Sequence, residues 1–187
     1  VGCIFQNKGI FHLNRSAELA VRSTIPILKS KVVWLEAKVG DFKFKIAETQ
    51  KELEEYYRLR YDVFVKEQNI FPESDIDEYD LDAVHLIAID GPTGKVVGGV
   101  RCYKKEGDTW FGGRLSAAPG FRNGRIGANL VRLAVKTVMS RGGKKFLAYI
   151  QPQNVKFFER LGWKSVGEPV IYQDLPHQLM EADLDSA

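Results

Sequence analysis

The stretch Arg114 to Met139, RLSAAPGFRNGRIGANLVRLAVKTVM, decides the fold. It opens with a short run ending at Pro119-Gly120, passes through a loop holding Gly124 and Gly127, and settles into a helical repeat. Strand, loop, helix is the reading. Arg125, Asn129, Arg132 and Lys136 share one side of that helix, while Ile126, Leu130, Leu133, Ala134 and Val138 share the other. The first turn of such a helix leaves backbone N–H groups unpaired, with the positive end of the helix dipole behind them. The loop is therefore predicted to bind an anion, and Arg122 and Arg125 add formal charge to it.

Charge patterning supports this. From Thr109 to Phe158 there is no Asp or Glu, against nine Lys or Arg residues. A merely solvated face mixes signs, so the bias points to phosphate, carried by a nucleotide-like cofactor or by nucleic acid. The run lacks the interleaved aromatic platforms of a strand-binding groove, and no nucleic-acid partner is expected. Between Glu67 and Asp82 the sign reverses, with seven acidic residues (Glu67, Glu73, Asp75, Asp77, Glu78, Asp80, Asp82) and no basic one. This run reads as a solvated loop, a calcium loop, or a negative field that attracts a cationic amine. The EF-hand spacing, with its central Gly and terminal Glu, is absent, and no metal is expected.

A length of 187 residues suits one domain with its own core, and 44% hydrophobic with 27% charged residues is ordinary for a globular protein. Two cysteines, Cys3 and Cys102, make neither a disulfide framework nor a metal cluster, which suits a reducing, cytoplasmic location. No apolar run approaches the roughly 20 residues of a membrane span, so no membrane partner is expected. The chain begins with Val, which reads as a fragment or a processed product. Residues 1–41 are assigned as an extension of unknown role, with a strand reading for Lys31 to Ala37, and the domain proper as 42–187.

Within the domain, Phe42, Phe44 and Ile46 alternate as in a strand, and Thr49 with Glu52 forms a capping box for a helix reaching about Lys66. His85 to Asp90 and Val96 to Tyr103 form a hairpin joined by Gly91-Pro92-Thr93-Gly94. After the central helix, Gly142-Gly143 caps it, Lys145 to Ile150 is a buried strand, and Asn154 is the N-cap of a short helix stopped by Gly162. The runs Trp163 to Tyr172 and His177 to Leu184 close the sheet.

Arg114 to Ala128 resembles the acetyl-CoA loop of the GNAT N-acetyltransferases, whose signature is Arg/Gln-x-x-Gly-x-Gly/Ala after a strand ending in a proline turn. Arg122 and Gly127 match, while Arg125 stands where the first glycine is usual. Leu59 to Gln68, Asp77 to Asp80, Ala83 to Leu86, and Leu175 to Met180 with its Pro-His are similar to the small bacterial YjcF/ElaA-like branch of that family. The Arg-x-x-Val-Phe and acidic patch, with Arg101, also resemble the acyl-homoserine-lactone synthases. Asn154 to Trp163 resembles the last GNAT motif, with Phe158 in the place of a tyrosine that in many members protonates the leaving thiolate.

The resemblance implies an α/β (α+β) GNAT fold: a mixed, mainly antiparallel sheet, splayed near its middle and flanked by helices. It implies acetyl transfer from acetyl-CoA to a primary amine of a small molecule, with longer acyl transfer or a non-catalytic acyl-CoA-binding module as rivals. Leu115, Ser116 and Ala117 would lie beside the pantetheine arm, with the oxyanion contact near Ser116 or Ala117. Arg122, Asn123, Gly124, Arg125, Ile126, Gly127 and Ala128 would hold the diphosphate, and Asn154 and Phe157 would touch CoA. Glu67 is the first candidate for general base, because it follows the helix that borders the acceptor site in relatives, and His177 the second. Glu67 could instead bind the substrate cation. His85 is expected to be structural, Tyr149 and Tyr172 are candidate acids, and a homodimer is left open.

Overall fold

The computed structural model describes residues 36–122, 125–172 and 174–184. Its sheet begins earlier than expected. β1 (Ala37–Val39) turns at Gly40, whose φ of 60° favours glycine, into β2 (Phe42–Ile46), with Val39 opposite Phe42. A domain boundary between residues 41 and 42 would cut this hairpin, so that expectation is corrected. Of the strand reading for 31–37, Ala37 lies in β1, Glu36 does not, and residues 31–35 lie outside the described residues.

Helix α1 (Gln50–Arg60) starts at the expected capping box: Thr49 Oγ1 accepts from Glu52 N–H, and the Glu52 carboxylate accepts from Thr49 N–H. It runs on as π-helical turns over Tyr61–Glu67, closed by Gln68 N–H donating to Val63 O. A 3₁₀ turn (Glu78–Leu81) precedes β3 (Val84–Asp90), β4 (Val96–Glu106) and β5 (Thr109–Ala117). Helix α2 (Ile126–Ser140) crosses to β6 (Lys145–Ile150), which lies parallel to β5. Helix α3 (Val155–Glu159), β7 (Trp163–Ser165), β8 (Val170–Tyr172) and β9 (Leu175–Ala182) follow. The sheet runs β1-β2-β3-β4-β5-β6-β9-β7, with β8 on β9, and among the described residues only the β5–β6 pair is parallel. This is the mixed, mainly antiparallel α/β arrangement the sequence led us to expect.

Two adjacent glycines let a helix approach each face of β4. A Cβ on Gly98 would strike Ile126 of α2, and one on Gly99 would strike the Tyr56 ring of α1. Successive strand residues face opposite sides, so Gly99, Arg101 and Tyr103 share the α1 face. On the α2 face, Ile126, Leu130, Leu133 and Val138 pack into one core with Trp110, Phe146, Phe158 and Trp163. Each such fully buried side chain contributes roughly 1.5–3 kcal/mol. The helix stops where Gly142 (φ 77°) turns and Gly143 N–H returns to Val138 O.

Candidate active site at the fork of the sheet

β5 and β6 pair only from Thr109 opposite Lys145 to Gly112 opposite Ala148. Beyond that point β6 leaves, and β5 continues on β4 alone to Ala117. The register on β4 shifts between Gly99 and Arg101, where Arg114 adopts a left-handed φ of 56°. Its carbonyl accepts from the Tyr56 hydroxyl at 2.9 Å. Ala118 N–H donates to Val97 O at 2.9 Å. By ladder alternation, Ser116 N–H therefore also faces β4, and the N–H groups of Leu115 and Ala117 face the edge that β6 has vacated. These backbone donors open onto a cleft of about 820 Å³ that passes through the fork. Ser116 Oγ is buried there without a partner.

On the α2 side, Arg125 precedes the helix and no side chain caps its first turn. The residues expected to bind a diphosphate and pantetheine gather at this end: Leu115, Ser116, Ala117, Arg122, Arg125, Gly127, Ala128, Asn154 and Phe157 all line the cleft. Gly127 and Phe157 are neighbours, since a Cβ on Gly127 would meet the Phe157 ring at 3.5 Å. Exposed Arg132 joins them. Ile126 does not, because its side chain is in the core, leaving only its backbone for an anion. Asn123 and Gly124 lie outside the described residues. The side chain of Asn154 caps nothing, contrary to expectation; its N–H instead closes a 3₁₀ turn onto Gln151 O.

The acidic run is corrected. Asp75, Asp77 and Asp80 are not a solvated field but half of a network with Arg60, Arg101 and Arg114. Arg60 donates to Asp75 (2.7 Å) and Asp80 (2.5 Å), Arg101 grips Asp77 through two 2.6 Å bonds, and Arg114 reaches Asp75 O and Asp77. Three guanidinium groups face three carboxylates, so the cluster is neutral overall. Burial alone would raise the Asp80 pKa, but the Arg60 hydrogen bond and charge, with Arg101 behind, hold it down to about 2. Of the remaining acids, Glu73, Glu78 and Asp82 are exposed and away from the cleft wall.

Glu67 is corrected as a free base. Both its oxygens accept from Arg122 at 2.6 Å, and that hydrogen bond first, then the Arg122 charge, lowers its pKa. His177 is equally unsuited: it is 5% exposed, off the cleft wall, with Nδ1 3.0 Å from Leu175 O. Its ring meets Tyr172 edge-on at 5.4 Å, so it positions that tyrosine. His85 is structural, as expected, with Nε2 between Asp80 O and the Tyr57 hydroxyl and burial lowering its pKa. Cys102 is buried, and its thiol is pushed up to about 12.

On the α1 side the cleft is aromatic. Tyr79 stacks on Tyr103 at 4.3 Å; Tyr103, Phe111, Tyr149 and Tyr172 continue the row at 6.1, 6.0 and 5.6 Å. Phe158 is buried edge-on to Trp163 and offers no proton, whereas Tyr149 and Tyr172 bring hydroxyls to the wall.

The sequence profile of the acetyltransferase (GNAT) family matches residues 48–163, well over half of the chain. The chain belongs to the GNAT acetyltransferase family. This GNAT protein is 29% identical over 144 residues to YjcF of Bacillus subtilis (strain 168), an uncharacterised N-acetyltransferase, covering 75% of this chain and 99% of YjcF. Escherichia coli ElaA superposes with a TM-score of 0.68 at 23% identity, over 76% of this chain and 99% of ElaA. BjaI, a CoA-dependent acyl-homoserine lactone synthase solved with SAM and isopentyl-CoA, gives a TM-score of 0.60 at 22% identity, over 71% and 75% of the two chains. The small bacterial branch suggested by the sequence is thus supported, and the GNAT protein is an acyl-CoA-dependent acyltransferase. Among the described residues no helix is long and apolar enough to cross a membrane.

Sequence reasoning missed the aromatic row and the left-handed Arg114. No local pattern signals the row, because its rings come from the 3₁₀ turn, β4, β5, β6 and β8. Nothing in the sequence marks Arg114, whose conformation follows from the bulge and its Tyr56 contact.

Proposed function

We propose that this GNAT protein transfers an acetyl group from acetyl-CoA to a primary amine of a small molecule by direct attack. The fork carries this reading: unpaired backbone donors of Leu115 and Ala117 sit where an anion-binding helix end and an aromatic pocket meet. Arg122, Arg125 and the first-turn N–H groups from Ile126 to Ala128 hold the diphosphate. Leu115, Ser116 and Ala117 flank the pantetheine arm, and Asn154 and Phe157 close over it. The Ala117 N–H polarises the thioester carbonyl and takes up charge as the amine nitrogen bonds to carbon. The carbon–sulfur bond then breaks, and the thiolate, whose thiol pKa is about 8.5, leaves with the amine's surplus proton passing through the Tyr149 or Tyr172 hydroxyl, or solvent. The acyl end of the donor would meet the apolar part of the lining, which includes Phe146, Phe158 and Trp163.

Among the described cleft residues there is no histidine, and the one carboxylate, Asp77, is paired to Arg101 and Arg114. The amine must therefore arrive neutral. The expected kcat/KM rises about tenfold per pH unit up to the pKa of the free amine, without an inflection from a protein histidine near 6.5. A thermal shift with CoA, acetyl-CoA and longer acyl-CoAs, followed by thiol release across an amine screen, tests donor and turnover. Stabilisation by long chains alone favours the longer-acyl rival, and binding without thiol release leaves a CoA-binding module.

A further inference from the structure

We infer that the acceptor is a primary amine carrying both an aromatic ring and a carboxylate; this rests on the transfer reading above and names its substrate class. Tyr103 on β4 faces Phe111 on β5, and alternation places Tyr149 on the same side of β6, where it stacks on Tyr172 of β8. With Tyr79 stacked on Tyr103, these rings pave the part of the α1 face that α1 leaves open, directly beside the fork. Tyr149 is 38% exposed, so the pavement is accessible at the cleft. Flat rings in a continuous row offer faces and edges to another ring, and such pairs favour an aromatic guest over a saturated one of equal size.

The leftover charge on this side is positive. Asp77 is held by Arg101 and Arg114, and no other carboxylate lines the cleft among the described residues. Lys105 is exposed on the cleft wall, its Nζ 4.8 Å from the centre of the Phe111 ring, and no carboxylate pairs with it among the described residues. Arg101, also on the wall and 2% exposed, keeps its Nε without a partner. A polyamine would meet rings and cations with no free acid to receive its second charge. An amine with an aromatic ring and an anionic group meets a complement to both.

Four compounds separate the two features: phenylalanine, 3-cyclohexylalanine, 2-phenylethylamine and 2-cyclohexylethylamine. Each is measured by thiol release with acetyl-CoA and by calorimetric binding in the presence of CoA. Saturating the ring is expected to raise KM about three- to tenfold. Removing the carboxylate is expected to raise it about tenfold. Lys105→Met should abolish the carboxylate preference and keep the ring preference, and Tyr149→Leu, read by calorimetric binding alone because its hydroxyl is one of the proton routes, should do the reverse; both positions are exposed, so folding is preserved. Equal KM values across the four, or a stronger response to spermidine, overturn the inference. If no amine releases thiol, the transfer reading fails instead, and the order of calorimetric affinities alone upholds or overturns the ring-and-carboxylate preference.

Discussion

Two sets of arginines surround the fork and behave in opposite ways. Arg60, Arg101 and Arg114 are buried against Asp75, Asp77 and Asp80; burial alone would lower the pKa of Arg60 and Arg101, but the hydrogen bonds and charges of their carboxylate partners raise it and keep both charged. Arg122, Arg125 and Arg132 stand at the surface of the cleft, the first in an exposed bidentate pair with Glu67 and donating from Nε to Ala117 O, the others without an ion-pair partner among the described residues. The first set fixes the loop before β3 onto α1, β4 and β5; in the second, Arg125 and Arg132 are open to a ligand, and Arg122 would have to exchange an exposed carboxylate for one. Charge in a sequence therefore reports neither binding nor structure until its commitments are known.

The contrast breaks most sharply at Arg60, whose side chain is fully buried. Arg60→Met leaves Asp75 and Asp80 short of a partner and is expected to destabilise the fold by about 3–5 kcal/mol in denaturant unfolding. Acid gives a milder version. Asp80 has its pKa lowered from 3.8 to about 2, so its stabilisation is present above the unfolded value and is lost as pH falls from about 4 through about 2. The melting temperature should fall across that window, and a flat profile there would disconnect Asp80 from stability. Arg125→Ala is expected to leave the melting temperature of the free protein unchanged while weakening CoA binding about tenfold by calorimetry. The smallest effect belongs to Glu67→Gln, which frees Arg122: CoA affinity should rise by a few-fold or less, more at low salt. A large loss of turnover in that variant would restore Glu67 as the base.

Much of the scaffold was legible. The capping box at Thr49 and Glu52, the alternation at Phe42, Phe44 and Ile46, and the apolar stripe of α2 are local patterns, and each folded as its period demands. The strand and helix on either side of the proposed cofactor loop were legible for the same reason, since they are contiguous in the chain. The acidic run was misread because Arg60, Arg101 and Arg114, which neutralise it, are brought there by three different elements. Glu67 was misread likewise: its partner Arg122 is 55 residues away in the chain. His177 carries no sign in its neighbours that β8 will fold over it. The π-helical turns after Arg60 continue an ordinary helical pattern and differ only in how the last carbonyls are used.

The Tyr56 ring lies against Gly99, which has no side chain to obstruct it, and its hydroxyl donates to the Arg114 carbonyl. The angle at which the two central strands part is thus fastened to a helix that contributes nothing to the strand ladder. Any attempt to transplant the parting strands into another host would have to carry α1 along. Conversely, Gly99→Ala, a single methyl on the face of β4 turned away from α2, would act as a wedge, prising α1 from the sheet and detuning the pair of backbone donors at the opening.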